Sequence, residues 1–305
     1  MKILRSMLYV PANSWRMITS AMSEGTDAVI LDIEDGCPLA EKETARVFAR
    51  DCIPAIKEHG IEAFVRINSL ETGLAGLDIS YVAVKGLDGV MLAKTESKED
   101  IAVVNGLLEK EERAKKLVSG SISIIALLET PKGILNVQEI IAASPRVIAV
   151  SFGAGDYSRE MGAGMGVTKI PPAEYFPMIL TARSLIAMAA RAAGIQAIDT
   201  PYFGFVIDIE GLIKEAEKVK LIGFSGKQLT HPSHVLPVNA VFSPPPEDVE
   251  FAKRLVAAYE AAKAKGLGAT TMGGKMIDLG SFKRAQSLLA QAALIEAKEK
   301  LMAKD

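Results

Sequence analysis

The chain has 305 residues, 49% of them hydrophobic and 24% charged, which suffices for one large buried core of α/β-barrel size plus an appendage. Its formal net charge of −2 excludes a global field that would draw nucleic acid or an anionic membrane, so any anionic ligand must be held by local cations. Cys37 and Cys52 form no CxxC pair, which argues against a zinc or disulfide framework and fits a reducing cytoplasm.

Near the N-terminus, Arg5, Pro11, Asn13 and Arg16 interrupt the continuous apolar run that a signal peptide needs. From there, short β-rich apolar runs alternate with longer helical patterns. Strands are expected at residues 6–10, 28–33, 63–67, 89–93, 122–128, 147–152, 196–199 and 221–224. Helices are expected between them, among others at 14–24, 41–59, 98–116 and 174–193. The most apolar helical stretch, 179–193, carries Arg183 and Arg191 and is too short and too charged to span a bilayer. Runs such as AVILDI and SIIALL suit parallel strands covered on both faces, and eight strand–helix alternations predict a (β/α)8 TIM barrel. An open doubly wound sheet is the weaker reading, because no GxGxxG follows the first strand. After the eighth strand, three consecutive prolines at 244–246 close a barrel domain of residues 1–241. Residues 242–305 then form a C-terminal helical extension or lid, with helices at 247–265 and 282–300 around a flexible glycine-rich stretch at 266–274.

In such a barrel, chemistry gathers where strands end at the C-terminal face. Asp32, Glu34, Asp35, Arg66, Asn68, Lys94, Glu129, Asp156, Asp199, Lys227, Gln228 and His231 all fall at or just beyond the expected strand ends. Glu129 and Asp156 follow adjacent strands, so their carboxylates can converge over the barrel mouth. Two carboxylates without a thiolate or imidazole favour a hard ion such as Mg2+. Alternatively, each carboxylate merely caps the next helix. Arg66 ends a buried strand, where a guanidinium requires carboxylates or an anionic ligand. An ion pair with Glu34 or Asp35 and a catalytic role are both compatible with that. Gly153, Ala154 and Gly155 offer exposed amides for a small carboxylate. By composition alone, Asp278 is a cap for the last helix.

Seven stretches carry a resemblance over nearly the whole chain: RSMLYVPAN (5–13), AVILDIEDG (28–36), FVRINS (64–69), ALLETPKG (126–133), FGAGDYSREMG (152–162), GFSGKQLTHP (223–232) and GKMID (274–278). In this order they resemble the citrate lyase β-subunit-like family, with the malyl-CoA and citramalyl-CoA lyases of the HpcH/HpaI aldolase superfamily. The resemblance implies a Mg2+-dependent carbon–carbon lyase that cleaves or forms a 3-hydroxyacyl-CoA thioester, giving acetyl-CoA and a 2-keto acid. It implies Mg2+ on Glu129 and Asp156, substrate contact from Arg66, and coenzyme A contacts from Tyr9, Arg16, Gln228 and Leu229. It further implies that Asp278 serves as an acid/base supplied by the lid of a neighbouring subunit, within a cytoplasmic homotrimer or a multiple of one. Gly155 departs from the family, where a glutamate commonly precedes the aspartate, and so do Ala93 and Leu279-Gly280, where proline is common. A citrate lyase β-subunit acting on an acyl-carrier-protein thioester, a malate-synthase-like thioester hydrolase and a catalytically silent CoA-ester-binding barrel are the alternatives. Glyoxylate, pyruvate and oxaloacetate all remain open as the keto acid.

Overall fold

The computed structural model describes residues 2–163 and 172–303. Eight parallel strands close on themselves in sequence order: β1 (Ser6–Pro11), β2 (Ala28–Asp32), β3 (Glu62–Ile67), β4 (Gly89–Leu92), β5 (Ser123–Leu128), β6 (Val147–Phe152), β7 (Gln196–Asp199) and β8 (Gly226–Leu229). Within this unit, the intervening helices are α1 (Trp15–Ala21), α2 (Lys42–Glu58), α3 (Ala75–Val82), α4 (Lys98–Ala114), α5 (Pro131–Leu135), α6 (Val137–Ala142), α7 (Ala154–Glu160), α8 (Pro172–Ala193), α9 (Ile209–Ile222) and α10 (Val235–Phe242). The expected (β/α)8 barrel is therefore the observed one.

Seven of the expected strands fall within a residue or so of those observed, whereas the eighth does not. Residues 221–222 of the expected strand are the last two of α9, and Gly223 turns the chain at φ +123°. The strand itself is Gly226–Leu229, which looks too polar for a barrel wall. It is tolerated because Lys227 is neutralised in place by Asp199 at 2.6 Å and Glu215 at 2.7 Å. Gly226 is needed for closure, since a Cβ there would lie 1.8 Å from the carbonyl oxygen of Leu4.

Alternation along each strand sorts side chains between the barrel interior and the helical layer. Met7, Ala28, Ile30, Phe64, Met91, Ile125, Leu127, Ala149 and Ile198 form the interior plug. Opposite-parity residues face outward. Asp199 of β7 and Lys227 of β8 meet Arg183 of α8 and Glu215 of α9, with Asp199, Lys227 and Arg183 all fully buried. Asp199, expected at the barrel mouth, thus belongs to an outer ion cluster. Residues 174–193 form the one described stretch long and apolar enough to cross a membrane, but α8 packs on β6 and β7 as a barrel helix.

The chain divides after Phe242 into two compact units. The second, from Ser243 onward with the N-terminal residues 2–3, contains α11 (Pro246–Ala264), an antiparallel hairpin of β9 (Thr270–Met272) and β10 (Lys275–Ile277), and α12 (Leu279–Met302). Tyr259 stacks on Phe282 at 4.6 Å over a small core that includes Leu255 and Ile277. The stretch expected to be flexible thus includes a strand of a hairpin, whose turn uses Gly273 and Gly274 at φ +58° and +79°.

Candidate active site

The inward parity that builds the plug continues past the strand ends and builds the site. Tyr9 and Pro11, Asp32, Arg66, Glu129, Gly153 and Thr200 follow the plug residues of their strands at two-residue steps, Leu127 is a plug residue at the cavity floor, and Gln228 and Thr230 keep the same spacing along and beyond β8. All of them line a cavity of about 440 Å3, joined by Asp35, Gly36, Gly155, Asp156, Pro201 and Phe203. Of the residues expected at a site, Tyr9, Arg66, Glu129, Gly153, Gly155, Asp156 and Gln228 therefore converge.

Others do not. Leu229 has the opposite parity to Gln228 and is fully buried in the wall, so its side chain is absent from this cavity. Ala154 is likewise buried, and its N–H donates to Thr200 Oγ1 at 3.2 Å, while the N–H of Gly153 donates to the carbonyl of Leu128 at 2.9 Å. Two of the three amides expected to cradle a carboxylate are thus engaged within the protein. Arg16 lies exposed on α1, outside the cavity lining. Asp278 lies in the second unit as the N-cap of α12, where its Oδ1 accepts from the N–H of Ser281 at 2.7 Å. That amide holds the Asp278 carboxyl below its ordinary range.

Arg66 is fixed from three sides. Its Nε and Nη2 donate to the two oxygens of Asp32 at 2.8 and 2.6 Å, and Nη1 lies 3.2 Å from Glu34. Its guanidinium also covers the Tyr9 ring at 4.8 Å. The bidentate partner is Asp32 rather than Asp35, because Asp32 is the inward residue directly paired with Arg66 across β2 and β3. Asp32 also accepts from the N–H of Glu34 and of Gly36 at 2.9 Å each. A Cβ at Gly36 would sit 2.2 Å from the same carboxylate, so the DIEDG loop wraps it only with glycine at that place. Tyr9 donates to Gln228 Oε1 at 2.7 Å, and Gln228 Nε2 donates to the Phe152 carbonyl at 2.8 Å. Burial raises the Tyr9 phenol above its ordinary range, so the phenol stays protonated as a donor.

Glu129 is 3% exposed, and burial pushes its carboxyl up to about 8. The Lys94 amide and Arg66 oppose that rise, while Asp156 and Glu34 add to it. Its Oε1 accepts from the Lys94 N–H at 2.7 Å, and no donor among the described residues reaches Oε2. Lys94 aims that amide from φ +51°, a left-handed conformation uncommon for a residue with a side chain. Its ammonium lies 3.2 Å from Glu34 Oε1, tying Glu34 between Lys94 and Arg66. Asp156 sits in the first turn of α7 and pairs with Arg159 at 2.5 Å. A buried carboxylate close enough to feel a second one, with an oxygen unsolicited by the protein, is a donor pair that a hard cation would satisfy. The described residues contain no cluster of three or more acidic, imidazole or thiol groups placed to hold a metal, so an ion held by Glu129 and Asp156 would complete its coordination with waters and substrate oxygens.

Residues 5–232 match the HpcH/HpaI aldolase/citrate lyase family. The chain belongs to this family. It is 36% identical over 294 residues to the citrate lyase subunit beta of Haemophilus influenzae, covering 96% of this chain and 98% of that one. It is 33% identical over 304 residues to the mitochondrial citramalyl-CoA lyase of Mus musculus, covering 96% and 87%. Among solved structures it resembles the CitE protein of Mycobacterium tuberculosis, crystallised with magnesium, acetoacetate and coenzyme A, with a TM-score of 0.73 and 29% identity over 95% of this chain and 98% of that one. The lyase expectation holds at the level of the family, and these relatives span the barrel and the C-terminal unit alike.

Sequence reasoning placed Asp32 at the barrel mouth without pairing it with Arg66, and it missed the Lys94 amide, Thr200, Pro201 and Phe203. The pairing was accessible from the strands: the inward positions of β2 and β3 put Asp32 beside Arg66. The Thr200–Phe203 segment lies outside the seven stretches that carry the resemblance, and its place after β7 brings it to the cavity.

Proposed function

We propose that this protein is a Mg2+-dependent carbon–carbon lyase that cleaves or forms a 3-hydroxyacyl-CoA thioester, exchanging it with acetyl-CoA and a 2-keto acid. The observation that carries this reading is the convergence of Glu129 and Asp156 on one cavity with an arginine pinned by two further carboxylates. Glu129 and Asp156 would hold the ion, which when bound supplies Lewis acidity towards the hydroxy-acid oxygens. Arg66 keeps N–H groups at the cavity wall that stabilise negative charge developing on the thioester oxygen. Its clamp by Asp32, Glu34 and Tyr9 fixes those donors before substrate arrives, so they need no reorganisation during the reaction. Tyr9 and Gln228 form a hydrogen-bonded pair on the adjoining wall, suited to orienting the thioester. Gly153 lets the backbone pass Glu129 closely, which keeps the carboxylate facing the cavity.

Asp278 is read as the acid/base that exchanges a proton with the acetyl carbon, on the family resemblance, from the lid of a neighbouring subunit in a trimeric assembly. The Ser281 amide favours its ionised form, the form needed as base in the condensing direction. A cytoplasmic location fits the two free cysteines.

The test is release of keto acid from malyl-CoA, citramalyl-CoA and citryl-CoA by purified protein with Mg2+ or excess EDTA. Release that requires Mg2+ supports the reading; absence of release from all three refutes it. A second reading, action on an acyl-carrier-protein thioester, is favoured by the 36% identity to a citrate lyase subunit beta. It predicts turnover of the carrier-bound thioester with little turnover of free CoA esters.

A further inference from the structure

Beside the carboxylates and Arg66, the cavity lining includes an apolar segment, Pro201 and Phe203 of the β7–α9 loop. Phe203 meets the lining at Gly155, which presents no side chain, and a Cβ built there would lie 3.4 Å from Phe203 Cζ. The Phe203 ring therefore faces a space that a side chain at position 155 would narrow. The same β7–α9 loop continues into Phe205, Val206 and Ile207, which are exposed by 83%, 43% and 90%. Single exposed apolar residues are ordinary, but three in succession on a loop that already reaches the cavity extend an apolar surface outward from it.

The charges point the same way. Among the described lining residues, Asp32, Asp35, Glu129 and Asp156 are acidic and Arg66 is the single cation. Arg66 is already matched by Asp32 and Glu34, and the nearby Lys94 ammonium by Glu34. A divalent ion would balance Glu129 and Asp156. No unmatched positive charge of the described lining is left for a second substrate carboxylate beyond the one that the ion would orient. An additional anionic group would be desolvated next to carboxylates without compensation.

We infer that Phe203 and Gly155 form a specificity pocket for an apolar substituent on the keto-acid carbon, so that the preferred keto acid carries a methyl, longer alkyl or aryl group rather than hydrogen or carboxymethyl. This deepens the lyase reading and rests on it. The pocket discriminates in two ways. An apolar substituent gains contact with Phe203 that hydrogen lacks, an effect of about tenfold or more for a filled hydrophobic subsite. A carboxymethyl group meets the acidic, cation-poor lining.

The experiment measures condensation of acetyl-CoA, with Mg2+, on glyoxylate, pyruvate, 2-oxobutyrate, phenylpyruvate and oxaloacetate, for the wild type and for Phe203→Ala and Gly155→Ala. At least one of the three apolar-substituted acids is expected to exceed both glyoxylate and oxaloacetate in kcat/KM by about tenfold or more. Phe203→Ala should lower the ratio of that acid to glyoxylate by about fivefold or more, mainly through KM, because the contact is made in the bound ground state as well. Gly155→Ala should narrow the pocket and lower the ratio for phenylpyruvate more than that for pyruvate. Oxaloacetate or glyoxylate as the best acceptor, or ratios unmoved by Phe203→Ala, would overturn the pocket while leaving the lyase reading intact. Absence of product from every acid would remove the lyase reading and the pocket together. Phe203 is 37% exposed on a loop, so its truncation is compatible with folding, and circular dichroism of each variant checks this.

Discussion

Gly153→Ala probes the tightest contact in the site. Gly153 has φ −104° and ψ 78°, so alanine meets no left-handed backbone strain there. The added methyl would instead lie 2.6 Å from Glu129 Cβ and 2.7 Å from Glu129 Oε2, against an ordinary contact of about 3.5–4.0 Å. One partner must retreat by about 1 Å in an interior packed at near-crystal density. Glu129 cannot yield freely, because its Oε1 is held at 2.7 Å by the Lys94 amide and its backbone follows directly on β5. Overpacking of this kind costs about 1–3 kcal/mol. Loss of glycine flexibility in the unfolded chain returns about 0.4–1 kcal/mol. The net cost of about 1–2 kcal/mol corresponds to a Tm lower by roughly 2–8 °C, at about 2–4 °C per kcal/mol for a domain of this size. Mg2+ should then stabilise the variant less than the wild type, because the displaced carboxylate is the one read as a metal ligand. The assay is thermal unfolding across a Mg2+ titration, with Gly155→Ala as comparison. At Gly155 the new methyl lies no closer than 3.4 Å to Phe203 and gains helix propensity in α7, so its Tm should not fall. A Gly153→Ala protein with wild-type Tm and wild-type Mg2+ response would refute the packing argument and the assignment of Glu129 with it.

Glu112, 1% exposed, accepts from both Arg146 Nη atoms at 2.8 and 2.7 Å and from the amides of Gly120 and Ile122. Burial would raise its carboxyl, but the Arg146 fork and the two amides outweigh burial and hold it at about 2. A depressed carboxyl contributes stability above its unfolded pKa that is lost as pH falls towards the folded value. Glu112→Gln should therefore cost about 3 kcal/mol in urea unfolding at pH 7 and clearly less at pH 3; an equal gap at both pH values would contradict this. Asp199→Asn leaves fully buried Arg183 and Lys227 with Glu215 as their one charged partner among the described residues, so it should destabilise by about 3–5 kcal/mol in the same assay. A loss below about 1 kcal/mol would mean that the cluster carries little. Asp278→Asn keeps a side-chain oxygen for the Ser281 amide, and asparagine caps helices as well as aspartate does. It should keep Tm and Mg2+ response while losing turnover, and unchanged turnover would remove Asp278 from the mechanism.

The barrel was legible in the sequence because parallel strands covered on both faces read as unbroken apolar runs, and seven of them stand out that way. Strand eight was misplaced for the same reason. LIGF is more apolar than GKQL, and nothing local reveals that Lys227 will find Asp199 and Glu215, which are 28 and 12 residues away. The acidic pair Glu129 and Asp156, Arg66, Tyr9 and Gln228 were legible as strand-end polar residues and as parts of family motifs. Their convergence follows from a period of two that carries the interior face of each strand into the cavity wall.

The sequence by itself thus determined the family, the order of the strands and most of the polar residues that meet in the cavity. Only the tertiary structure decided which face each strand-end residue takes. It turned Leu229 and Asp199 away from the cavity and put Asp32, rather than Asp35, under Arg66. It also brought Phe203 against Gly155, two residues 48 positions apart. The physical reason is register: a shift of one residue reverses inside and outside, and register is set by pairing between strands rather than within any one of them.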